Sequence, residues 1–420
     1  MGTNANASIA GAAVGGNPGA AALTRTRLAS DAPQADANPL TYNSMTESQD
    51  KAASERDRAM EAKAPELEVR NLIKRYSARS LVGPISFSVE AGEFVSLLGP
   101  SGCGKTTTLR CVAGFETPSE GGIFLAGDRI DEKPPNRRNI GLVFQNYALF
   151  PHLTVFENVA FGLRLRRTDK AAMKERVYRA LDLVGLPDLA GRRPEQLSGG
   201  QQQRVAIARS IVLEPRVLLF DEPLSNLDLK LRLQMRTELR ALQRRLGKTA
   251  VYVTHDQGEA LALSDRVVVM SEGRVEQIGS PREIYERPAN AFVAEFIGNS
   301  NLLDVTFVET TTEATTVRTK AGLVLHARSR SCGPGSRLVA VIRPEHIRIV
   351  SGDAKPDDNR LPAIITEVTY LGQEIQLQLR AAENTALMAI VQGRAMDCTL
   401  GSSVVIAIAC TDILLVESER

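Results

Sequence analysis

Residues 99 to 106 read Gly-Pro-Ser-Gly-Cys-Gly-Lys-Thr. Glycines at these spacings permit backbone conformations that turn successive N–H groups onto one anion. The pattern G-x-x-x-x-G-K-[ST] is a phosphate-binding loop. In it Gly99, Pro100, Ser101, Gly102, Cys103 and Gly104 form the cradle. Lys105 is expected to reach the β- and γ-phosphates of a nucleotide, and the Thr106 hydroxyl to ligate Mg²⁺. A helix beginning near Lys105, with Thr107 in its first turn, aims its positive end at the same charge. Farther along, Val217-Leu-Leu-Phe-Asp-Glu222 is an apolar run ending in two acids. A strand buried on both faces holds no carboxylate in its middle at acceptable cost, but its C-terminal end presents one. Asp221 is thus placed to hold Mg²⁺, and Glu222 to polarise an attacking water. Leu197-Ser-Gly-Gly-Gln201 is a second glycine-rich helix start. It reads either as a further phosphate-binding N-terminus or as a helix capped by Ser198.

These residues need elements to hold them. The stretches 94–98, 140–144, 217–221 and 250–254 are apolar runs of strand length, and helical periodicity marks 171–184, 202–213 and 229–246. Strands alternating with helices predict a mainly parallel sheet covered by helices. Residues 159–213 carry long helical patterns and few strand signals, which predicts a helical insertion. After Asn301 short strand-like runs follow one another at 302–307, 338–342, 347–350, 364–370, 375–379, 404–408 and 413–416, separated by turn clusters. That spacing predicts a small all-β barrel or sandwich. Residues 1–64 are poor in large apolar side chains and are expected to form a disordered tail, with a short helix near 54–63.

The composition bounds the function. A chain of 420 residues with 43% hydrophobic and 24% charged residues is ordinary for a globular protein, at roughly three structural units. The net charge of +2, from 51 basic and 49 acidic residues, offers no global grip on nucleic acid or anionic lipid. Lys and Arg in the β region are scattered without an aromatic stacking platform, which argues against nucleic acid as a partner. Five cysteines, with no CxxC pair, fit a reducing compartment better than a disulfide framework. No apolar run reaches the ~18–20 residues that span a bilayer, and no secretory signal is present, so a cytosolic chain is expected.

The phosphate loop, the Leu-Ser-Gly-Gly-Gln segment and the strand ending in Asp-Glu together resemble the ATPase subunits of ABC transporters over residues 66–300. The resemblance implies a RecA-like P-loop core with a helical subdomain at 146–213, in an ATP-binding domain spanning 65–300. It assigns Tyr76 to adenine stacking, Gln145 to a link between Mg²⁺ and the helical subdomain, Asp228 to the D-loop Ser225-Asn-Leu-Asp228, and His255 to the γ-phosphate. Asn226 departs from the alanine the family often carries. The resemblance also implies a homodimer in which each ATP lies between the P-loop of one copy and Ser198, Gly199, Gly200 and Gln201 of the other. Two anion-binding helix starts in one chain exceed what one terminal phosphate needs unless they come from opposing copies.

Residues 146–158, Asn-Tyr-Ala-Leu-Phe-Pro-His-Leu-Thr-Val-Phe-Glu-Asn, resemble the importer groove that accepts a helix of a membrane permease. Residues 292–301 and Arg343-Pro-Glu-His-Ile-Arg348 resemble the segments leading into an OB- or TOBE-like regulatory β domain, here 301–420. The resemblance therefore implies an importer ATPase, of the group serving polyamines, ferric iron, phosphonates or sugars. Its partners would be permease subunits and, indirectly, an extracytoplasmic solute-binding protein, and its place the cytoplasmic face of the plasma membrane. A soluble ABC ATPase of DNA repair or translation is the alternative. Such proteins usually carry long coiled-coil insertions or two ATPase units per chain, and neither is present.

Overall fold

Phe94-Val-Ser-Leu-Leu98 has no polar face, so it can be satisfied only with neighbours on both sides and layers above and below. In the computed structural model, which describes residues 64–77, 80–329, 336–350, 358–392 and 399–417, this run is strand β3 (Phe94–Leu98), buried at every position. It lies at the middle of a six-stranded sheet with β6 (Ile140–Val143), β7 (Val217–Asp221), β8 (Thr249–Thr254), β9 (Arg266–Ser271) and β10 (Arg274–Gly279). The order is β10-β9-β3-β8-β7-β6. All pairs are parallel except β9 with β10. The expected α/β P-loop core is borne out.

Each face of that sheet carries its own core. On one, Phe94, Phe220 and Tyr252 meet with ring centroids 5.7 to 6.5 Å apart. Against them pack α2 (Val155–Leu165), α3 (Lys170–Leu183), α4 (Gly199–Ile211) and α5 (Leu229–Leu246) through Val159, Leu163, Leu181, Val205 and Leu239. On the other, Val95, Leu97, Leu219 and Val251 pack against α1 (Lys105–Ala113) and a second sheet. That sheet is antiparallel, ordered β2-β1-β4-β5 from β1 (Leu67–Ser77), β2 (Ser80–Val89), β4 (Glu120–Leu125) and β5 (Asp128–Arg129). Alternating strands and helices did not announce it. The β1–β2 ladder shifts register three times, and Asn71 at one shift has φ 46°, so the period-two pattern of a strand is broken.

After α6 (Gln257–Leu263), α7 (Pro281–Glu286) and α8 (Ala291–Phe296), the described residues form β-strands joined by loops and short 3-10 turns. The described residues form two five-stranded antiparallel sheets over one shared core that includes Val317, Leu325, Leu377, Leu379, Ile406 and Ile408. One sheet is β13-β12-β11-β14-β20, and the other β15-β19-β16-β17-β18. In chain order they are β11 (Asn301–Thr310), β12 (Ala314–Thr319), β13 (Val324–Arg328), β14 (Arg337–Ile342), β15 (Arg348–Val350), β16 (Asp358–Tyr370), β17 (Glu374–Ala381), β18 (Ala386–Gln392), β19 (Ser403–Ala409) and β20 (Ile413–Glu417). The small all-β unit is thus as expected, with β12, β13 and β18 added. Arg343, buried, seats this unit on α7 and α8 by donating to the carbonyls of Tyr285, Ala294 and Ile297 at 2.9, 3.0 and 2.6 Å. Among the described residues no helix is long and apolar enough to cross a membrane. The expected tail, with its short helix at 54–63, lies outside the described residues.

Candidate functional site

In a parallel sheet every strand points its C-terminal end the same way, and the loops there form one crevice. The phosphate loop follows β3, Gln145 follows β6, Asp221 ends β7 with Glu222 beyond it, and His255 follows β8. The strand order alone therefore gathers these predicted residues along one sheet edge.

The phosphate loop folds as its glycines require. A Cβ on Gly99 would stand 2.2 Å from the Met270 carbonyl oxygen, and Gly104 has φ 100° as the N-cap of α1. Pro100, Ser101 and Gly102 form an exposed arch, whereas Cys103 and Lys105 are buried. Lys105 Nζ donates to the carbonyls of Gly99 and Pro100 at 2.7 and 2.8 Å and lies 3.7 Å from Cys103 Sγ. The ammonium is thus folded back on its own loop rather than extended from it, and engaging a phosphate means exchanging those carbonyls. Thr106 Oγ1 donates to Asp221 Oδ1 at 3.3 Å.

Glu222 is the meeting point. Its Oε2 lies 3.2 Å from His255 Nδ1 and accepts from Gln145 Nε2 at 3.5 Å. Gln145 Nε2 also donates to Ser225 Oγ at 3.3 Å. Glu222 holds φ 46°, a region costly for a residue with a Cβ, while its N–H donates to Val253 O at 3.1 Å. Its other carboxylate oxygen, Oε1, accepts no hydrogen bond from the described residues. Burial raises the Asp221 carboxyl above the usual range, opposed by the Thr106 hydroxyl and the nearby Arg110 charge. A buried carboxylate so poorly compensated favours a cation beside it. With the Thr106 hydroxyl it supplies hard oxygen donors of the kind Mg²⁺ takes when phosphates and water complete its shell. The two residues therefore fit the ion.

Tyr76 stands beside the first turn of α1. Its hydroxyl donates to Glu116 Oε2 at 2.5 Å and lies 3.2 Å from Thr107 Oγ1. Its ring is half exposed, with Lys74 Nζ 5.5 Å from the centroid. A flat, accessible ring suits stacking by a planar base.

Ser198 and Asp228 do not join this cluster within the chain. Ser198 caps α4, accepting from the Gln201 N–H at 3.4 Å while Gln201 Oε1 accepts from the Ser198 N–H at 3.0 Å. Gly199 and Gly200 open that helix. Asp228 caps α5 by accepting from Leu231 N–H at 3.0 Å. Ser198 and Asp228 are exposed.

Three residues outside the motifs' assigned roles hold the site's loops. Asn226 Nδ2 donates to the Gln145 carbonyl at 3.0 Å, tying the loop after β7 to the loop after β6. Arg232 Nη2 donates to Leu227 O at 3.0 Å, and its Nη1 lies 3.6 Å from Asp256 Oδ2, beside His255. Arg209 reaches the carbonyls of Tyr147 and Ala148. The polar letter where the family often has alanine was the one signal for Asn226; nothing in the spacing marked the two arginines.

Tyr147 is buried, yet its hydroxyl has no partner among the described residues, and burial raises its pKa. An unmet buried hydroxyl costs about 1–3 kcal/mol. Tyr147→Phe is therefore expected to raise the midpoint of thermal unfolding by about 2–12 °C, as read by calorimetry. An unchanged or lower midpoint would show that the hydroxyl is satisfied.

The chain matches known families in two places. Residues 82–225 match the ABC transporter family, and residues 340–416 the TOBE domain. Several relatives are spermidine/putrescine import ATP-binding proteins PotA. That of Acidothermus cellulolyticus is 50% identical over 317 residues, 74% of this chain and 83% of the relative. That of Rubrobacter xylanophilus is 50% identical, covering 76% of this chain and 85% of the relative. That of Legionella pneumophila (strain Philadelphia 1) is 46% identical, covering 77% and 90%. Among solved structures, cbiO1 of Clostridium perfringens, part of the ABC transporter complex cbiONQ, shares 33% identity with a TM-score of 0.49 over 53% of this chain and 91% of that one. The alternative of an ATPase of DNA repair or translation is not favoured.

Proposed function

Since the chain belongs to the import ATP-binding proteins of the ABC transporter family, its hydrolysis of ATP powers solute import, and we propose that the solute is a polyamine of the spermidine or putrescine kind. The relatives' names support the solute; the chain's own geometry supports the chemistry. The observation that carries the chemistry is the convergence of the Lys105–Thr106 loop, Asp221, Glu222, Gln145 and His255 at adjacent ends of one parallel sheet.

In this reading Tyr76 stacks on adenine, and the N–H groups of residues 99–107 with Lys105 hold the phosphates. Mg²⁺, held by Thr106 and Asp221 with Gln145 nearby, would neutralise phosphate charge. Glu222 orients the attacking water and accepts its proton at Oε1, the oxygen that its neighbours leave free. His255 and Gln145, both on Oε2, fix the carboxylate's direction; His255 contacts the γ-phosphate, and Gln145 links Mg²⁺ to the helical subdomain.

Ser198, Gly199, Gly200 and Gln201, with Asp228 beside them, face the nucleotide of a second copy, since they lie apart from the phosphate loop of their own. The start of α4 suits that use, because Ser198 is exposed and the capping bond takes the Gln201 N–H, leaving the Gly199 and Gly200 N–H groups at the helix end for an anion. The groove around 146–158 takes a permease helix on the cytoplasmic face of the membrane, a solute-binding protein acts on the far side, and no nucleic acid takes part.

The test is uptake. Cells lacking this chain are expected to lose uptake of radiolabelled spermidine, and to regain it with the wild-type chain but not with Lys105→Ala. Normal spermidine uptake in the deletion strain would refute the solute assignment, and a lost ferric iron or phosphonate uptake would replace it.

A further inference from the structure

Beyond Gln145 the backbone enters a conformation that side chains rarely adopt. Tyr147 and Ala148 have φ 59° and 47°, two consecutive non-glycine residues in the left-handed region. Tyr147 adds the unpartnered buried hydroxyl described above. A segment so unfavourable persists only where its surroundings hold it. Arg209 does the holding. Its Nη1 donates to Ala148 O at 2.6 Å and its Nη2 to Tyr147 O at 3.0 Å. The guanidinium carbon stands 5.7 Å from the centroid of Phe150, and no carboxylate pairs with it among the described residues. The fork is thus committed to the two carbonyls of the strained residues, a fit that a lysine point charge does not reproduce.

The same arginine sits near the end of α4, the helix whose other end is Ser198-Gly-Gly-Gln. Arg209 stands ten positions after Gly199 in the helix, about 15 Å along a stiff rod. On the near side, Asn226 grips the Gln145 carbonyl. Residues 145–148 therefore run from the Glu222 cluster to a clamp on α4.

We propose that Arg209 is a positioning residue that holds the strained Tyr147–Ala148 backbone and so couples the placement of Gln145 to helix α4 and its Ser198–Gln201 end. The inference rests on the roles proposed above for Gln145 and Ser198–Gln201. Arg209 touches neither nucleotide nor water in this scheme and acts through the backbone it holds.

The test is a rescue measured on the full chain with Mg-ATP. Arg209→Met is expected to lower kcat roughly 10- to 100-fold, because misplacement by about an ångström has that effect, with KM for ATP within about twofold. Arg209→Lys should fall between the two. Adding Ala148→Gly removes the cost of the left-handed conformation at that position and should recover a large part of the lost kcat in both backgrounds. A purely structural role for Arg209 would give no such recovery. Should Arg209→Met fail to fold, Arg209→Lys with and without Ala148→Gly decides the matter. Unchanged kcat in the arginine variants, or a loss that Ala148→Gly does not relieve, overturns the proposal. Full turnover by a Gln145→Ala variant would instead overturn the underlying reading of Gln145.

Discussion

Glu222→Gln is expected to bind Mg-ATP as the wild type does and to hydrolyse it at least about 100-fold more slowly. The size follows from the usual contribution of a positioned proton acceptor, roughly 10²–10⁴-fold. The substitution isolates that contribution. An amide has nearly the volume of the carboxylate, so the variant side chain can keep the φ 46° backbone, the bond from the N–H of position 222 to Val253 O and the contact with His255. What is lost is the capacity of Oε1 to take a proton from water. Phosphate release under saturating ATP measures the rate, and displacement of a fluorescent ATP analogue measures the binding. Hydrolysis within about tenfold of the wild type would remove Glu222 from the role and leave the water to be activated by another group.

Lys105→Ala should fail at the other step. The ammonium is buried and bonded to Gly99 and Pro100 carbonyls at 2.7 and 2.8 Å, so it stands inside the loop as a cation for a phosphate seated there. A charge-assisted hydrogen bond is worth about 1.5–3 kcal/mol, so affinity for Mg-ATP should drop roughly 10- to 150-fold. The same titration reads both variants, and they should separate cleanly: one loses kcat at constant affinity, the other loses affinity. A melting curve guards against a trivial reading, because truncating the lysine also leaves two carbonyls short of a partner. Affinity for Mg-ATP within about twofold of the wild type, in a folded protein, would contradict the phosphate-binding role.

Much of the site was legible because its chemistry is written in runs of sequence. A buried strand followed by a Gly-rich turn and Lys-Thr, or ending in Asp-Glu, fixes side chains to strand ends, and the parallel order β3-β8-β7-β6 then brings those ends together. The start of α4 was open to a related reading, since Ser198 is a cap as well as a candidate ligand; that Asp228 caps α5 is seen only in the structure. What escaped was held by long-range contacts. Asn226 to Gln145 O and Arg209 to Tyr147 and Ala148 O span 81, 62 and 61 residues, and each ends on a backbone carbonyl that carries no residue-specific signal. The retracted Lys105 was likewise unreadable, since its carbonyl partners exist only once the loop has turned.

In the β domain, β12 reads Ala-Thr-Thr-Val-Arg-Thr. Thr315 and Thr316 are buried despite their hydroxyls, so hydrophobic alternation fails to mark the strand. β18 reads Ala-Leu-Met-Ala-Ile-Val-Gln, with Leu387 and Ala389 buried; small residues and a methionine give it weak strand character.

The mechanism requires that the Ser198–Gln201 helix start of one copy, with Ser198 exposed, closes over the nucleotide held by another. Light scattering on the purified Glu222→Gln chain, compared in Mg-ADP and in Mg-ATP, measures this most directly. The expected result is a nucleotide-dependent shift to twice the 45.5 kDa of one chain in Mg-ATP. A chain that binds Mg-ATP yet keeps a single-chain mass would contradict it.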